Sequence, residues 1–334
     1  MFEFSPLAAA AGGTPMVVLL AVLMLDLVLG FVPQMGRLHP PIPGLRRRLA
    51  GIERGLNREN RSLANLMIRG AVVTVVVLAA AAALGWGLWQ LALVLPFGIA
   101  VEAVVLFLAI SQSRVICALG EARDAILDGT LDVARSALNA VLPGAYQGRD
   151  GYTIARALIE TGGRGFLVRL LGPAFWFCLA GLPGILVYAA SVQLSAAFAP
   201  PKDRGDAFGM VAHGVQDVLD FLPARIAGLI LILAGLFLPH GAPRDGLAVL
   251  RRDGKRYPGV NGRWIIAPLA GVLGLALIGP RPVGGPAARG SGWIGGGRAQ
   301  AGTVDLRRAV YLLSVAGLIL IVAVAGVLLV KLGA

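Results

Sequence analysis

The sequence predicts an all-α, polytopic integral membrane protein, and three observations predict it. Apolar residues make up 57% of the 334 and charged residues 14%, whereas soluble chains carry about 45–50% apolar residues. Windows of about 20 residues with few charges recur along the chain, the length that a hydrocarbon layer about 30 Å thick demands of a helix. The 30 Lys+Arg and 18 Asp+Glu, a net +12, fall in blocks between those windows. That pattern disfavours a basic nucleic-acid binder and fits a chain threaded through a bilayer.

Six windows qualify, near 14–33, 70–91, 93–113, 170–190, 217–239 and 309–331. A seventh, 265–279, is fifteen residues long and reads as a short re-entrant or interfacial helix. Nothing basic precedes the first window and its apolar run continues past any plausible cleavage site, so it reads as a retained helix. Residues 1–36 hold no Lys or Arg, and the next segment carries Arg37, Arg46, Arg47, Arg48, Arg54, Arg58, Arg61 and Arg69. By the excess of basic residues on the cytoplasmic side, the N-terminus is expected outside and that segment inside. Alternation then puts 114–169, with seven Arg, 240–264, with six Lys+Arg, and 280–308, with five Arg, on the same inner face. The expected location is a bacterial inner membrane, crossed several times.

Segment 114–165 is the most soluble-looking part, a cytoplasmic run of amphipathic helices. Leu131, Ala134, Leu138 and Val141 recur at helical spacing, as do Leu119, Ala122 and Ile126. Pro143-Gly144 ends one helix and Gly148-Arg149-Asp150-Gly151 turns into the next. Segment 280–305 is a Gly/Arg-rich loop without apolar period, suited to folding around a phosphate or to staying mobile, with composition favouring mobility. Gly290, Gly292 and Gly295 stand in GxGxxG register, but no strand precedes them, and no Walker loop occurs in the chain. Cys117 and Cys178 read as inert apolar cysteines, and His39, His213 and His240 show no metal-ligand spacing.

Charges in apolar windows are functional candidates by default, at a cost of about 2.5–3.5 kcal/mol each on insertion scales. Asp26 in the first window reads equally as such a site or as an ion-paired or helix-end residue. Glu102 in the third reads equally as a protonated carboxyl bonded to a neighbouring helix. Asp217, Asp220 and Arg225 open the fifth window, and their spacing puts both acids on one helix face at the membrane mouth. Two acids and an Arg there suit Mg²⁺ with a phosphate, or merely mark the interface.

Ordered short motifs resemble a known family along nearly the whole chain. Leu25-Asp26-Leu27-Val28-Leu29-Gly30, then His39-Pro40 and Glu53, resemble its opening. Ala134-Arg135, Gly148-Arg149-Asp150, Glu160, Pro173-Ala174-Phe175-Trp176 and Gly181-Leu182-Pro183-Gly184 with Tyr188 follow. Phe208-Gly209, Asp217-Val218, Pro223-Ala224-Arg225, Asn261, Trp264, Ala270-Gly271, Leu273-Gly274, Trp293, Gly295, Asp305 and Arg308-Ala309 complete the series. The family is the CobD/CbiB membrane proteins of cobalamin biosynthesis, and the resemblance makes residues 1–334 one domain of a divergent member.

The resemblance implies an adenosylcobinamide-phosphate synthase, an ATP-dependent ligase that joins adenosylcobyric acid to aminopropanol phosphate or ethanolamine phosphate. It implies ATP and Mg²⁺ as cofactors, and a corrinoid, a phosphorylated amino-alcohol, the lipid bilayer and other membrane enzymes of the cobalamin pathway as partners. His39, Glu160 and Asp217 are the expected catalytic residues. Arg149, Arg225 and Asn261 are expected to bind phosphate, and Asp150 and Asp217 to bind the metal; Asp26, Glu53 and Tyr188 match the family pattern without an assigned role. Phe31, Gly163-Arg164-Gly165, Val192-Gln193-Leu194-Ser195 and Gly259-Val260 depart from the pattern. So do Gln216, where the family has Asp, and Asp220, where it has Asn. Two rival readings follow. One is a catalytically degenerate scaffold or sensor, as in AmpE-type proteins; the other is a transporter with Asp26 and Glu102 as a proton relay, although no inverted repeat is visible.

Overall fold

The structure is a computed structural model, describing residues 14–32, 43–57, 62–142, 150–198, 207–257, 259–279 and 292–333. His39, Arg149 and the first part of the Gly/Arg segment lie outside the described residues. In chain order the helices are α1 (Thr14–Gly30), α2 (Pro43–Leu56), α3 (Leu63–Val94), α4 (Gly98–Ala109), α5 (Ser113–Leu127) and α6 (Leu131–Val141). They continue as α7 (Gly151–Gly165), α8 (Gly172–Ala197), α9 (Met210–Ala234), α10 (Pro243–Asp253), α11 (Arg263–Leu273) and α12 (Thr303–Gly333). Among the described residues the only β pairing is two isolated bridges, Leu275 with Arg298 and Leu277 with Ile294.

Five helical stretches are long and apolar enough to cross a membrane: Leu63–Val94, Gly98–Leu127, Gly151–Ala197, Met210–Phe237 and Thr303–Lys331. The first expected span is the shorter α1, of 17 residues, or about 26 Å at 1.5 Å per residue. The expected span 93–113 differs from the observed chain, because α4 stops at Ala109 and α5 starts at Ser113. Its freed backbone groups find partners in side chains and in a π-helical turn, Phe166–Leu171. Ser111 N–H donates to the Arg169 carbonyl at 3.0 Å, and Ser113 N–H donates to both Asp26 carboxylate oxygens at 3.2 and 3.3 Å. Ser113 Oγ–H adds a third bond to Asp26 at 2.7 Å. Asp26 is therefore the N-terminal cap of α5, supplied from another helix. Irregular backbone in an apolar setting persists only with such internal partners.

The chain divides into two compact units. Unit 1 holds Met1–Leu19, Pro40–Ala109 and Gly172–Phe221. Here α3 runs along α8, with Gly85 against the backbone of Leu182 and Pro183. Gly70 touches the backbone of Phe208 so closely that a Cβ would overlap the Phe208 carbonyl. A small cluster of Leu49, Leu194, Phe198, Phe208 and Ala212 seats α2 on α8. Within α8 the backbone breaks at Gly181, whose φ of 61° and ψ of −146° are open to glycine alone, just ahead of Pro183.

Unit 2 holds Leu20–His39, Ile110–Leu171 and Leu222–Ala334. The helices read as amphipathic turn their apolar faces inward: Ile116, Leu119 and Ala122 on α5, Ala134, Leu138 and Val141 on α6, and Ile154 and Leu158 on α7 are buried. α12 packs on α5 and α7, and α10 packs on α11. The short apolar segment is α11, eleven residues and thus about 16 Å. Nine of them, Ile265–Leu273, are buried. It ends at Gly274 in the left-handed region (φ 68°), and the chain returns through Leu275 and Leu277. Arg308 ties this end down, donating to the carbonyls of Leu273 at 3.1 Å and His240 at 3.0 Å.

Candidate functional site

Unit 1 contains a ladder of polar side chains between α8 and the first half of α9. Tyr188, Ser191 and Ser195 share one face of α8, and His213, Gln216 and Asp220 share one face of α9, each set at spacings of three and four. The rungs pair in opposite order. Tyr188 Oη–H donates to Asp220 Oδ1 at 2.8 Å, and Gln216 Nε2–H donates to Asp220 Oδ2 at 2.8 Å. Ser191 Oγ lies 2.6 Å from Gln216 Oε1 and 2.8 Å from the Tyr188 carbonyl, both acceptors for its proton. His213 Nε2–H donates to the Phe198 carbonyl at 2.8 Å, which leaves Nδ1 of the neutral ring to accept from Ser195 Oγ–H at 2.7 Å.

The ladder has no room for added bulk, since a Cβ on Gly172 would strike the Tyr188 ring. A carboxylate in this apolar setting costs about 2.5–3.5 kcal/mol. Two hydrogen bonds to it, at roughly 1.5–3 kcal/mol each, offset that cost.

Unit 2 gathers cationic and aromatic side chains at the start of α11. The Arg225 guanidinium lies over the Trp264 ring, 5.3 Å from its centroid, and Arg263 adds a second positive charge beside it. Arg164 lies over the Tyr257 ring at 5.8 Å and also donates to its hydroxyl. Tyr257 in turn covers Gly262, where any Cβ would collide with the ring. α7 and α9 both press on α11 through glycine: Gly163 on Ile265 and Leu269, Gly228 on the Trp264 carbonyl. Asn261 is buried just ahead, its carbonyl accepting from Trp264 N–H at 3.0 Å. Guanidinium groups over aromatic faces hold positive charge of the kind that attracts phosphate or carboxylate oxygens.

Buried acids anchor the Gly/Arg segment nearby in the same unit. Asp253 is bound by Arg252 at 2.8 Å, by Arg256 at 3.4 Å and by Gly295 N–H at 3.1 Å. Asp305 accepts from Arg298 at 2.8 Å and Gly302 N–H at 2.9 Å. Glu160 Oε1 accepts from Ile278 N–H at 2.8 Å, holding a residue whose φ of 62° is unfavourable for a branched side chain. Arg156 lies over Trp293, 5.0 Å from its centroid, and donates to the Ala299 carbonyl at 3.3 Å. Composition pointed to a mobile loop, yet residues 292–302 are held by these bonds, and two of the residues that hold them, Asp253 and Arg156, come from distant parts of the sequence.

The expected site residues are distributed accordingly. Arg225 and Asn261 meet at Trp264. Glu160 is buried against Ile278, and Asp150 caps α7 by accepting from Thr153 N–H at 2.6 Å. Asp217 lies exposed on α9, whereas Asp220, three residues on, is buried in the ladder. Tyr188 is a ladder residue, Asp26 caps α5, and Glu53 and Glu102 are half-buried on α2 and α4. Among the described residues no three His, Cys, Asp or Glu side chains gather as metal ligands. The two cysteines are not joined in a disulfide, and Cys117 Sγ lies 3.6 Å from the Leu29 and Gly30 carbonyls at the end of α1. Sequence reasoning missed His213, Ser191 and Ser195 as site residues, although their spacing of three and four with Tyr188 and Gln216 was a readable signal. It also missed Arg156, Arg164, Tyr257 and Arg263.

Residues 18–313 match the family described as CobD/Cbib protein. The chain belongs to that family. It is similar to Cobalamin biosynthesis protein CobD of Rhizobium meliloti, 31% identical over 306 residues, covering 88% of this chain and 91% of that one. The same-named protein of Brucella suis is 29% identical over 304 residues, covering 89% and 92%. That of Rhodobacter capsulatus is 28% identical over 314 residues, covering 91% and 95%. No solved structure matches. Membership ties the chain to cobalamin biosynthesis, the process for which these relatives are named.

Two departures from the CobD/Cbib pattern are physically one. The pattern that the sequence resembles has Asp at position 216 and Asn at 220; here Gln216 and Asp220 stand one helical turn apart and bond to each other. One acid and one amide remain on this turn of α9, with their places exchanged.

Two outcomes follow for measurement. In a double-mutant cycle of Tyr188→Phe and Asp220→Asn, thermal or denaturant unfolding should give a coupling of about 1–3 kcal/mol, and additive losses would contradict the ladder. At Asp253 the hydrogen bond from Arg252 comes first among the causes that hold the carboxyl below its ordinary 3.8, against the opposing effect of burial. Its stabilisation is therefore full above about pH 4 and is lost as pH falls through the lower folded value. Asp253→Asn should lack that acid-side loss, and hydrogen exchange of residues 292–302 should rise at neutral pH.

Proposed function

We propose that this CobD/Cbib protein is a multi-pass inner-membrane amide ligase, joining adenosylcobyric acid to aminopropanol phosphate or ethanolamine phosphate with ATP. The observation that carries the reading is the convergence of Arg164, Arg225 and Arg263 on the start of α11, in a chain of this family. Their charge and proximity to a helix N-terminus suit a phosphate group. On this reading Arg225 and Asn261 grip the phosphate of the amine substrate, and Arg149 joins them.

ATP and Mg²⁺ are the cofactors that this reading carries over from the family resemblance. Mg²⁺ bound with a nucleotide needs only one or two carboxylates besides phosphate oxygens and water. Asp150, in unit 2, and Asp217, in unit 1, are each proposed as such a carboxylate, taken separately. Bound ATP and Mg²⁺ supply activation of the corrinoid carboxylate. The chain's own residues orient the reactants: the guanidinium groups fix the phosphate end of the amine, and Glu160 holds the Ile278 turn that positions the Gly/Arg segment. His39 is the proposed acceptor of the amine proton. The basic segments face the cytoplasm in this reading, the side on which ATP is present.

The test is reconstitution in vesicles with adenosylcobyric acid, each phosphorylated amine, ATP and Mg²⁺, with the amide product read by mass spectrometry. Product should form, and Arg225→Gln should raise KM for the phosphorylated amine roughly tenfold or more, with a smaller effect on kcat. Absence of product from correctly inserted protein, together with failure to complement a strain lacking its own ligase, would favour the scaffold reading instead.

A further inference from the structure

Unit 2 carries a second cationic feature, at the broken end of α5. Arg114 stands in the first turn of α5, and Arg169 stands in the π-helical turn Phe166–Leu171. Arg114 donates to the Ala140 carbonyl at 3.4 Å, and Arg169 donates to the Val141 carbonyl at 3.0 Å. These are consecutive carbonyls at the end of α6, so the two half-buried guanidinium groups lie side by side, and the charge of Arg114 repels that of Arg169. Neither forms an ion pair among the described residues. The nearby acid, Asp26, directs its oxygens to Ser113 and Gln112.

Capping of α6 does not account for the pair. A helix C-terminus offers about half a negative charge, against two full positive ones, which leaves roughly 1.5 charges uncompensated. Each guanidinium has five donors, and one is used in each. The surrounding backbone is irregular on both sides, the break at Ile110–Gln112 and the π turn, joined by Ser111 N–H to the Arg169 carbonyl at 3.0 Å. π-Helical turns recur at functional sites, and irregular backbone at membrane depth is tolerated where it lines a cavity or is buried in protein. A phosphate monoester carries about −1.5 to −2 charges at neutral pH, with three acceptor oxygens. It matches both the charge left over and the donors left unused.

We propose that Arg114 and Arg169 form an oxyanion site that takes a phosphate group, built from residues other than those around α11. The inference stands whether or not the chain is a ligase. The phosphate comes from a soluble phosphate compound or from a phospholipid headgroup, and the two sources separate experimentally.

The full-length protein is purified in detergent, and its melting is followed in inorganic phosphate against chloride at matched ionic strength. Native mass spectrometry in parallel reads phosphatidylglycerol retained from vesicles of that lipid mixed with phosphatidylcholine. A phosphate-dependent rise in melting temperature that Arg169→Gln weakens roughly tenfold in affinity, and that Arg169→Lys partly keeps, establishes the site with a soluble ligand. Retained phosphatidylglycerol that Arg169→Gln releases establishes it with a lipid. Arg114→Gln serves as the second variant should Arg169→Gln fail to fold. The inference is overturned if neither signal appears in the wild type. It is also overturned if Arg225→Gln abolishes the signal while Arg114→Gln and Arg169→Gln leave it intact, an outcome that leaves the α11 reading standing.

Discussion

A peptide group released from a helix inside an apolar fold must find a new partner, and the rest of this structure depends on how that requirement is met. The span that includes α4 and α5 breaks at Ile110–Gln112, and Asp26 receives the released amides at the start of α5. The kink at Gly181 is tolerated in a helix tied to α9 by Trp176, whose Nε1–H donates to the Leu219 carbonyl at 3.2 Å, and by the ladder beyond it. Glu160 does the same for the turn at Ile278. Charges that look costly in apolar sequence are thus the groups that permit irregular backbone, and irregular backbone sets the positions of the functional side chains.

Two kinds of site result, with different chemistry. The α8–α9 ladder is internally satisfied: donors and acceptors match rung by rung, and glycine closes the space around Tyr188. Its evident work is to fix the register of two helices, one of them broken. Two clusters in unit 2 are different, because they gather guanidinium groups: Arg225 with Arg263 near Arg164, and Arg114 with Arg169. Arg164 and Arg225 rest on rings, and Arg114 and Arg169 rest on carbonyls. Such arrangements concentrate positive charge, which is why the functional reading leans on unit 2.

Much of this was legible in the sequence. Apolar windows and basic blocks gave the fold class, the short segment 265–279 betrayed α11 by its length, and ordered motifs pointed to the family. The break in the third span was not legible, since Ile110-Ser111-Gln112-Ser113 contains neither Pro nor Gly. The residue that permits the break lies 87 positions away. Asp217 and Asp220 were read as one face, yet three residues turn a helix about 60° short of a full circle. That difference is enough to expose one and bury the other. The Gly/Arg segment was read from composition, which carries no information about the distant Asp253 and Arg156 that hold it.

Stability at position 26 tests the central claim most directly. Asp26→Asn keeps an acceptor for the amide and hydroxyl of Ser113, while Asp26→Leu removes it and adds apolar bulk suited to the surroundings. If side-chain capping of the broken helix governs the fold, unfolding should show the Leu variant less stable than the Asn variant by about 1–3 kcal/mol. Equal stability of the two, or a more stable Leu variant, would contradict the account.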